Sequence, residues 1–195
     1  MAGSPGAGKT ESAESLIEIL AGRNSVLHID PDKLRVEFLD YTGHNSSHFQ
    51  AATSILVDRI HDVSLKQKQS FVFDGTFSNL AKCVENINRS LKRKREVYVI
   101  YVYQDPVQAW NFVIRRSKKD GRIISREAFI EQYFLARSNV NEVKRKFGSQ
   151  IQVDLIIKNI DGSNKLYKEN VDSIDNYIDE NYDTKTLKEK LPQYV

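Results

Sequence analysis

An α/β fold built on a parallel sheet is predicted by two observations in the sequence. Short β-rich runs alternate with helical stretches, which is the pattern of a parallel sheet covered by helices. The chain also opens with a phosphate-loop spacing, Gly-x-x-x-x-Gly-Lys-Thr, which joins a strand to a helix in nucleotide-binding proteins. Together they predict a P-loop NTPase-type parallel sheet with flanking helices.

The elements follow from local periodicity and from turn residues. Predicted strands cover 25–30, 70–75, 96–103 and 151–159, and predicted helices cover 11–21, 31–40, 47–68, 78–92, 105–119 and 126–147. The polar tail, 161–195, is expected to form peripheral helices. We therefore expect a single kinase domain over 1–195 with its core in 1–160.

The loop itself supplies the first candidate site. It consists of Gly3, Ser4, Pro5, Gly6, Ala7, Gly8, Lys9 and Thr10. Its glycines allow the backbone N–H groups to turn around a phosphate, and the following helix directs its N-terminus at the same anion. Lys9 is expected to reach the β- and γ-phosphates, and Thr10 to offer its hydroxyl to Mg²⁺.

The strand that normally precedes such a loop is missing or truncated, because only Met1 and Ala2 come before Gly3. Without that strand the loop would be anchored at one end only. We expect the native start to lie upstream, with an in-frame apolar stretch in the encoding DNA.

Composition narrows the class of protein. The 195 residues suit one domain with a substantial core, and 40% hydrophobic and 28% charged residues are ordinary for a globular protein. The longest apolar run, 97–103, is too short to cross a membrane, and no signal peptide is visible. The single cysteine, Cys83, excludes an internal disulfide, and we expect a cytoplasmic protein in which Cys83 packs as a small hydrophobe.

Acidic residues follow two predicted strands, at the edge where α/β sheets bind ligands. Asp74 ends an apolar strand and is a candidate magnesium ligand, although it could instead cap a helix or form a turn before Gly75. Asp30 precedes Pro31 and fits a helix N-cap. Asp32 is then available as a general base, or it complements the helix dipole; the residues alone leave both readings open.

A basic segment, 115–126, follows a predicted helix and is expected to form an arginine-bearing lid over a nucleotide. It contains Arg115, Arg116, Arg122 and Arg126. Arginines near a transferring phosphoryl group stabilise its charge and raise the rate by orders of magnitude. The alternative is a solvated charged loop.

These motifs resemble the zeta toxin family of kinases. The matching runs are AGSPGAGKTES, VLHIDPDKLR, FVFDGTFSN and IRRSKKDGRIISRE, with EVYVIYVY as a strand between them, so that the resemblance covers about residues 2–160. It implies transfer of the γ-phosphoryl group of ATP or GTP, with Mg²⁺, to the 3′-hydroxyl of UDP-N-acetylglucosamine.

The resemblance also implies roles for individual residues. Asp32 would be the base, Lys9 and Thr10 would hold the nucleotide phosphates and Mg²⁺, and Arg116 and Arg122 would be the lid arginines, with Arg115 competing for the first position. Thr76 and Arg35 would bind substrate. An antitoxin would be a separate protein.

The sequence departs from the family at the sugar site. Ser54 stands where an acidic residue helps to hold the amino sugar, with Asp58 one turn on, and Ser78 stands where a basic residue is frequent. A kinase of another acceptor, such as a nucleic-acid end or a small metabolite, therefore stays open, as does an inactive nucleotide-binding relic. Nucleic acid is disfavoured because the basic clusters at 89–96, 115–122 and 144–146 lack interleaved aromatics. A GTP-dependent switch is disfavoured because 158–161 reads Lys-Asn-Ile-Asp rather than Asn-Lys-x-Asp. The four histidines show no tight metal spacing, so zinc is not expected.

Overall fold

The computed structural model describes residues 1–21, 25–179 and 182–193. The helices are α1 (Lys9–Ala21), α2 (Pro31–Arg35), α3 (Gln50–Lys66), α4 (Leu80–Leu91), α5 (Pro106–Asp120), α6 (Arg126–Phe147) and α7 (Thr184–Lys190), with 3₁₀ turns at Gly148–Gln150 and Ile174–Tyr177. The strands are β1 (Val26–Ile29), β2 (Ser70–Phe73), β3 (Tyr98–Tyr103), β4 (Gln152–Lys158) and β5 (Asn164–Lys168). The predicted α/β class with parallel strands and flanking helices is confirmed.

The described residues form two compact units. The loop unit comprises Met1–Lys9, Thr76–Val113 and Ile124–Val195, and the carboxylate unit comprises Thr10–Gly75 and Ile114–Ile123. The single kinase domain stays a prediction. Among the described residues, no helix is both long and apolar enough to cross a lipid bilayer.

The sheet of the loop unit has the order β3-β4-β5, with β3 and β4 parallel and β5 antiparallel to β4. Ala2 pairs in parallel with Tyr101: its N–H donates to Ile100 O, and Val102 N–H donates to its carbonyl, both at 2.8 Å. The residue before the phosphate loop therefore lies beside β3 as a strand residue would.

Large apolar side chains fill the core of the loop unit. Trp110, Phe129, Tyr133, Tyr101 and Leu155 are almost completely buried. The rings of Trp110 and Phe129 lie 5.0 Å apart, and Trp110 Nε1 donates to Pro192 O at 2.9 Å. Trp110 therefore packs in the core. Helix α6 begins where the Ser125 side chain accepts from Ala128 N–H, and it ends at Gly148, whose φ is +55°.

The carboxylate unit is built on a two-stranded parallel sheet. Val26 pairs with Ser70, and the register runs to Ile29 opposite Phe73. The residues that follow directly, Asp30 and Asp74, are therefore neighbours at the carboxyl ends of the strands. Beneath the sheet, the buried ring of His61 on α3 meets Phe71 and Phe73 edge to face at 5.1 and 5.6 Å.

Two element predictions are wrong. The helix predicted over 31–40 ends at Arg35, because side chains compete with the helical backbone beyond it: Asn45 Nδ2 donates to Asp40 O at 2.8 Å, and Asn45 Oδ1 accepts from Thr42 N–H at 3.0 Å. The tail is not purely helical, because β5 extends the sheet at 164–168. The Asp161-Gly162 pair before it is a hairpin signal that the sequence analysis missed.

Candidate active site

The phosphate loop, residues 3–9, lies in the loop unit and depends on glycine at two positions. Gly3 has φ +145°, and a Cβ there would lie 2.4 Å from Val102 O. Gly6 has φ +74°, and a Cβ there would lie 2.2 Å from Ala109 O. Only a residue without a Cβ allows the backbone to approach β3 and α5 this closely, so both glycines are required for the shape of the loop.

Interactions within the loop hold its curvature. Lys9 Nζ donates to Ser4 O at 2.7 Å, and Ala7 N–H donates to the same carbonyl at 3.2 Å. Ser4 is buried, and Gly3 N–H donates to Thr76 O at 3.4 Å. The Lys9 ammonium is thus bound to a carbonyl oxygen of its own loop.

The carboxylate unit begins with Thr10, the last residue of the motif. Thr10 Oγ1 donates to Asp74 Oδ2 at 2.8 Å. The Asp74 side chain is 5% exposed, and its second oxygen, Oδ1, is buried without a hydrogen-bond partner in the described structure. The structure thus brings together the two residues predicted to hold Mg²⁺. Helix α4 is capped by Asn79, so Asp74 is not its N-cap.

Asp30 and His28 join this pair. Asp30 Oδ1 accepts from Asp32 N–H at 2.8 Å, which confirms the predicted N-cap of α2. His28 precedes it by two residues on β1, so the two side chains share one face of the strand. His28 Nε2 lies 3.8 Å from Asp74 Oδ2. Burial, followed by the charge of Asp74, raises the pKa of Asp30 above its ordinary value.

Asp32, the predicted base, lies in the first turn of α2 with 43% of its side chain exposed. Its Oδ1 accepts from Arg35 Nη1 at 2.9 Å, and its Oδ2 accepts from Arg122 Nη1. Arg116 Nη1 lies 4.0 Å from the same Oδ2. Three of the predicted arginines therefore meet the predicted base within the carboxylate unit.

The other arginines of the basic segment differ from these. Arg115 is exposed, whereas Arg116 is half-buried, so Arg116 is the one of the two that faces Asp32. Arg126 belongs to the loop unit and donates to the carbonyl oxygens of Lys188 and Leu191 at 3.1 and 3.3 Å. Burial lowers the pKa of Arg122 from its ordinary value.

The substrate residues carried over from the family differ in their surroundings. Arg35 is 3% exposed, and its Nη2 donates to Gln50 Oε1 at 3.0 Å, which joins α2 to α3. Thr76 shares a 2.9 Å hydrogen bond with Ser78. Ser54 is exposed on α3 and donates to Gln50 O, its own helix backbone, at 2.9 Å. Both serines are thus occupied locally.

His28 is not among the residues that the sequence predicts for the site. Its nearest carboxylates are two and 46 positions away in the chain, so no compact metal-binding spacing exists. The alternation of side chains along a strand could have indicated His28. His28 and Asp30 are two residues apart at the end of one strand, so their side chains lie on the same face, and a second strand is followed by Asp74.

Solved structures share the fold. A chain of the AvrRxo1-ORF1:AvrRxo1-ORF2 complex with sulphate ions has a TM-score of 0.67 at 17% identity, over 90% of this chain and 60% of that one. A chain of the same complex with ATP has a TM-score of 0.65 at 18% identity, over 86% and 55%. A chain of the PezAT toxin–antitoxin system of Streptococcus pneumoniae has a TM-score of 0.64 at 14% identity, over 97% and 79%. The present chain thus spans about three fifths of the first of these proteins.

A search of curated proteins finds no significant match. The family model described as Zeta toxin matches residues 1–172. Because this match covers most of the sequence, the chain belongs to the Zeta toxin family.

Proposed function

We propose that the chain is a phosphotransferase that moves the γ-phosphoryl group of ATP or GTP to the 3′-hydroxyl of UDP-N-acetylglucosamine. The observation that carries the proposal is the 2.8 Å hydrogen bond between Thr10 and Asp74. It joins the hydroxyl of the phosphate-loop motif to a buried strand-end carboxylate, the pair that phosphate-loop enzymes use for a magnesium ion.

Residues 3–9 bind the nucleotide phosphates. The glycine backbone encloses the anion, and the Lys9 ammonium exchanges its bond to Ser4 O for phosphate oxygens. One structural neighbour, the AvrRxo1-ORF1:AvrRxo1-ORF2 complex, was solved with ATP, which supports a nucleotide as the donor.

Thr10 and Asp74 fit a magnesium ion. The buried Asp74 Oδ1 has no hydrogen-bond partner in the described structure, and a buried carboxylate oxygen is costly unless a cation or a donor meets it. Bound Mg²⁺ supplies positive charge to the β- and γ-phosphates.

Asp32 accepts the proton of the acceptor hydroxyl. As the hydroxyl oxygen bonds to the γ-phosphorus, the bond to the bridging oxygen breaks, and the nucleoside diphosphate leaves. Arg35 and Arg122 hold the carboxylate, and each oxygen keeps a second lone pair for the hydroxyl. When the nucleotide binds, Arg122 exchanges its bond to Asp32 for the charge on the transferring group, and Arg116 joins it. The buried Arg35 keeps its bond to Asp32 and acts on the acceptor through that carboxylate. Thr76 is the proposed contact of the acceptor.

A second acceptor class has specific support. Ser54 and Ser78 replace charged residues at the family's sugar site, and both hydroxyls are engaged by neighbours. A small metabolite other than the amino-sugar nucleotide is therefore the second candidate.

A separate antitoxin is the proposed protein partner. One structural neighbour belongs to the PezAT toxin–antitoxin system, which supports this proposal.

The test incubates the full chain with Mg-ATP and UDP-N-acetylglucosamine and looks by mass spectrometry for one added phosphate. The expected product disappears in Asp32→Asn, with a rate loss of at least about 10³-fold. ATP binding by Asp32→Asn, measured by calorimetry, stays within about threefold of wild type. Asp40→Asn, an exposed carboxylate of the same unit, is the matched control and keeps full activity.

ATP turnover without a phosphorylated sugar nucleotide would exclude this acceptor and favour a metabolite. Loss of ATP binding in Asp32→Asn would contradict the assignment of Asp32 as the general base and would indicate a structural role for this residue. A wild-type chain that binds no nucleotide would match the inactive relic.

A further inference from the structure

One imidazole and two carboxylates, both side-chain types that can bind metal ions, meet in the carboxylate unit. His28, Asp30 and Asp74 each offer one ligand atom, and these atoms all lie within 4.8 Å of one another. Two ligands of one transition-metal ion lie at most about 4.4 Å apart, since each bond is about 2.0–2.2 Å long. Only opposite ligands reach that separation, so the three groups have to draw closer together to enclose one cation.

Two atoms of this cluster are buried without a partner. The Asp74 side chain is 5% exposed, and its Oδ1 has no hydrogen-bond partner in the described structure; the same is true of His28 Nε2, whose side chain is 12% exposed. Both belong to side chains that converge on the same small space. Burying such atoms is unfavourable unless something binds them.

The donor set distinguishes between cations. Mg²⁺ is a hard ion that takes oxygen ligands and keeps several waters. An imidazole nitrogen suits first-row transition metals, which accept mixed nitrogen and oxygen ligands. A cluster of two carboxylates and one imidazole therefore favours a first-row transition metal over Mg²⁺, and Mn²⁺ is the member of that row that also suits carboxylate oxygens.

We propose that His28 Nε2, together with Asp30, is a direct ligand of the cation that Asp74 holds, and that this nitrogen makes the site select Mn²⁺ over Mg²⁺. The inference rests on the cation site of the proposed function. It is independent of the acceptor and of the base, because it concerns which ion binds.

Lys33 tunes the nitrogen from its other side. Its Nζ lies 3.5 Å from His28 Nδ1 and donates to Glu14 Oε1 at 2.7 Å. When a metal occupies Nε2, the neutral ring carries its proton on Nδ1, which then faces the lysine charge. Lys33 therefore opposes metal binding at His28, and Glu14 moderates that opposition.

The test measures Mn²⁺ binding to the full chain by electron paramagnetic resonance, with and without an ATP analogue. Histidine is labelled with ¹⁵N, so that a coordinated imidazole gives a ¹⁵N coupling to Mn²⁺ that nucleotide nitrogens cannot imitate. The expected result is one bound ion with that coupling. His28→Ala abolishes the coupling and weakens Mn²⁺ binding at least about tenfold, while Mg²⁺ affinity, from competition, changes less than about threefold.

His48→Ala is the matched control, because His48 is exposed in the same unit, and it leaves coupling and affinity unchanged. His28→Gln is measured alongside, with circular dichroism, to separate ligand loss from misfolding. Lys33→Gln is expected to tighten Mn²⁺ binding about two- to fivefold, and only when His28 is present.

Mn²⁺ bound without a ¹⁵N coupling would overturn the inference, as would no binding in either condition, or an equal loss of Mn²⁺ and Mg²⁺ in His28→Ala. A Lys33→Gln gain that persists in His28→Ala would also count against ligation. These outcomes are separable from the proposed function: a chain that shows the coupling but phosphorylates nothing refutes the function alone, and a chain that phosphorylates without the coupling refutes the inference alone.

Discussion

The loop unit and the carboxylate unit bury different kinds of side chain. Among the described residues, the loop unit buries mostly apolar groups, with Trp110, Phe129 and Tyr133 almost fully enclosed. In the carboxylate unit, buried polar and charged residues such as Asp30, Arg35 and Asp74 outnumber the buried apolar ones. Apolar burial stabilises a fold, whereas buried charge costs stability unless it is compensated. Among the described residues, apolar packing that stabilises the fold is therefore concentrated in the loop unit, and costly buried charge in the carboxylate unit.

The largest expected effect is at the centre of the loop unit. Trp110→Ala removes a fully buried ring that contacts Phe129 and donates to Pro192 O. We expect the free energy of unfolding to fall by about 3–5 kcal/mol. Urea denaturation followed by far-ultraviolet circular dichroism measures it, because the variant lacks the chain's single tryptophan. Ile160→Ala, at an exposed site of the same unit, should change the free energy of unfolding by less than about 0.5 kcal/mol. Similar losses at both sites would show that the buried ring stabilises the loop unit no more than a surface side chain does.

The thiol of Cys83 reports on how tightly the loop unit is closed. Burial raises the pKa of Cys83 to about 12. Only the thiolate reacts, so between pH 7 and 9.5 the folded protein should react with iodoacetamide about 10³-fold more slowly than the unfolded chain. Alkylation rates with and without denaturant test this. A native rate that titrates near pH 8.5 would show an accessible thiol.

In the carboxylate unit, removing a charge should raise stability. Burial, followed by the charge of Asp74, raises the pKa of Asp30 in the folded state. The folded protein is therefore most stable below the pKa that Asp30 has in the unfolded chain, and it loses stability as the pH rises through the higher pKa of the folded state. Asn keeps the N-cap but carries no charge. We expect Asp30→Asn to gain on the order of 1 kcal/mol at pH 7, with the gain vanishing near pH 3.

Urea denaturation in chelator-containing buffer measures that gain, and Asp40→Asn is its exposed control. A loss of stability at pH 7 would mean that the Asp30 carboxylate is better compensated than its contacts indicate, and would remove the cost assigned to this unit.

The smallest effect is expected at the surface of the carboxylate unit. Lys33 and Glu14 pair at 2.7 Å with about half of each side chain exposed, and the hydrogen bond from Lys33 lowers the pKa of Glu14. Because the pKa of Glu14 is lowered on folding, its carboxylate stabilises the folded protein above the pKa it has in the unfolded chain. This stabilisation is lost as the pH falls through the lower pKa of the folded state. Glu14→Gln should cost less than about 0.5 kcal/mol at pH 7 and nothing in 1 M salt. Thermal melts in low salt and in 1 M salt check this. A larger loss of stability that does not depend on salt would show that the Lys33–Glu14 pair stabilises the fold by more than surface electrostatics.

The sequence by itself determined the features that local rules control. The glycine spacing predicted the phosphate loop, Asp30 before Pro31 predicted the cap of α2, and apolar periodicity located most helices and strands. Such rules act over a few residues through backbone dihedrals, capping and side-chain period, so they can be read without the fold.

Tertiary structure alone decided which distant residues meet. The register of β1 with β2 makes Asp30 and Asp74 neighbours and adds His28, and it is Arg116 rather than Arg115 that turns towards Asp32. The polar edge strand β5 exists because β4 offers it a hydrogen-bonding partner. These outcomes depend on pairing and packing between segments far apart in the chain, and the local pattern of either segment alone carries no record of the other.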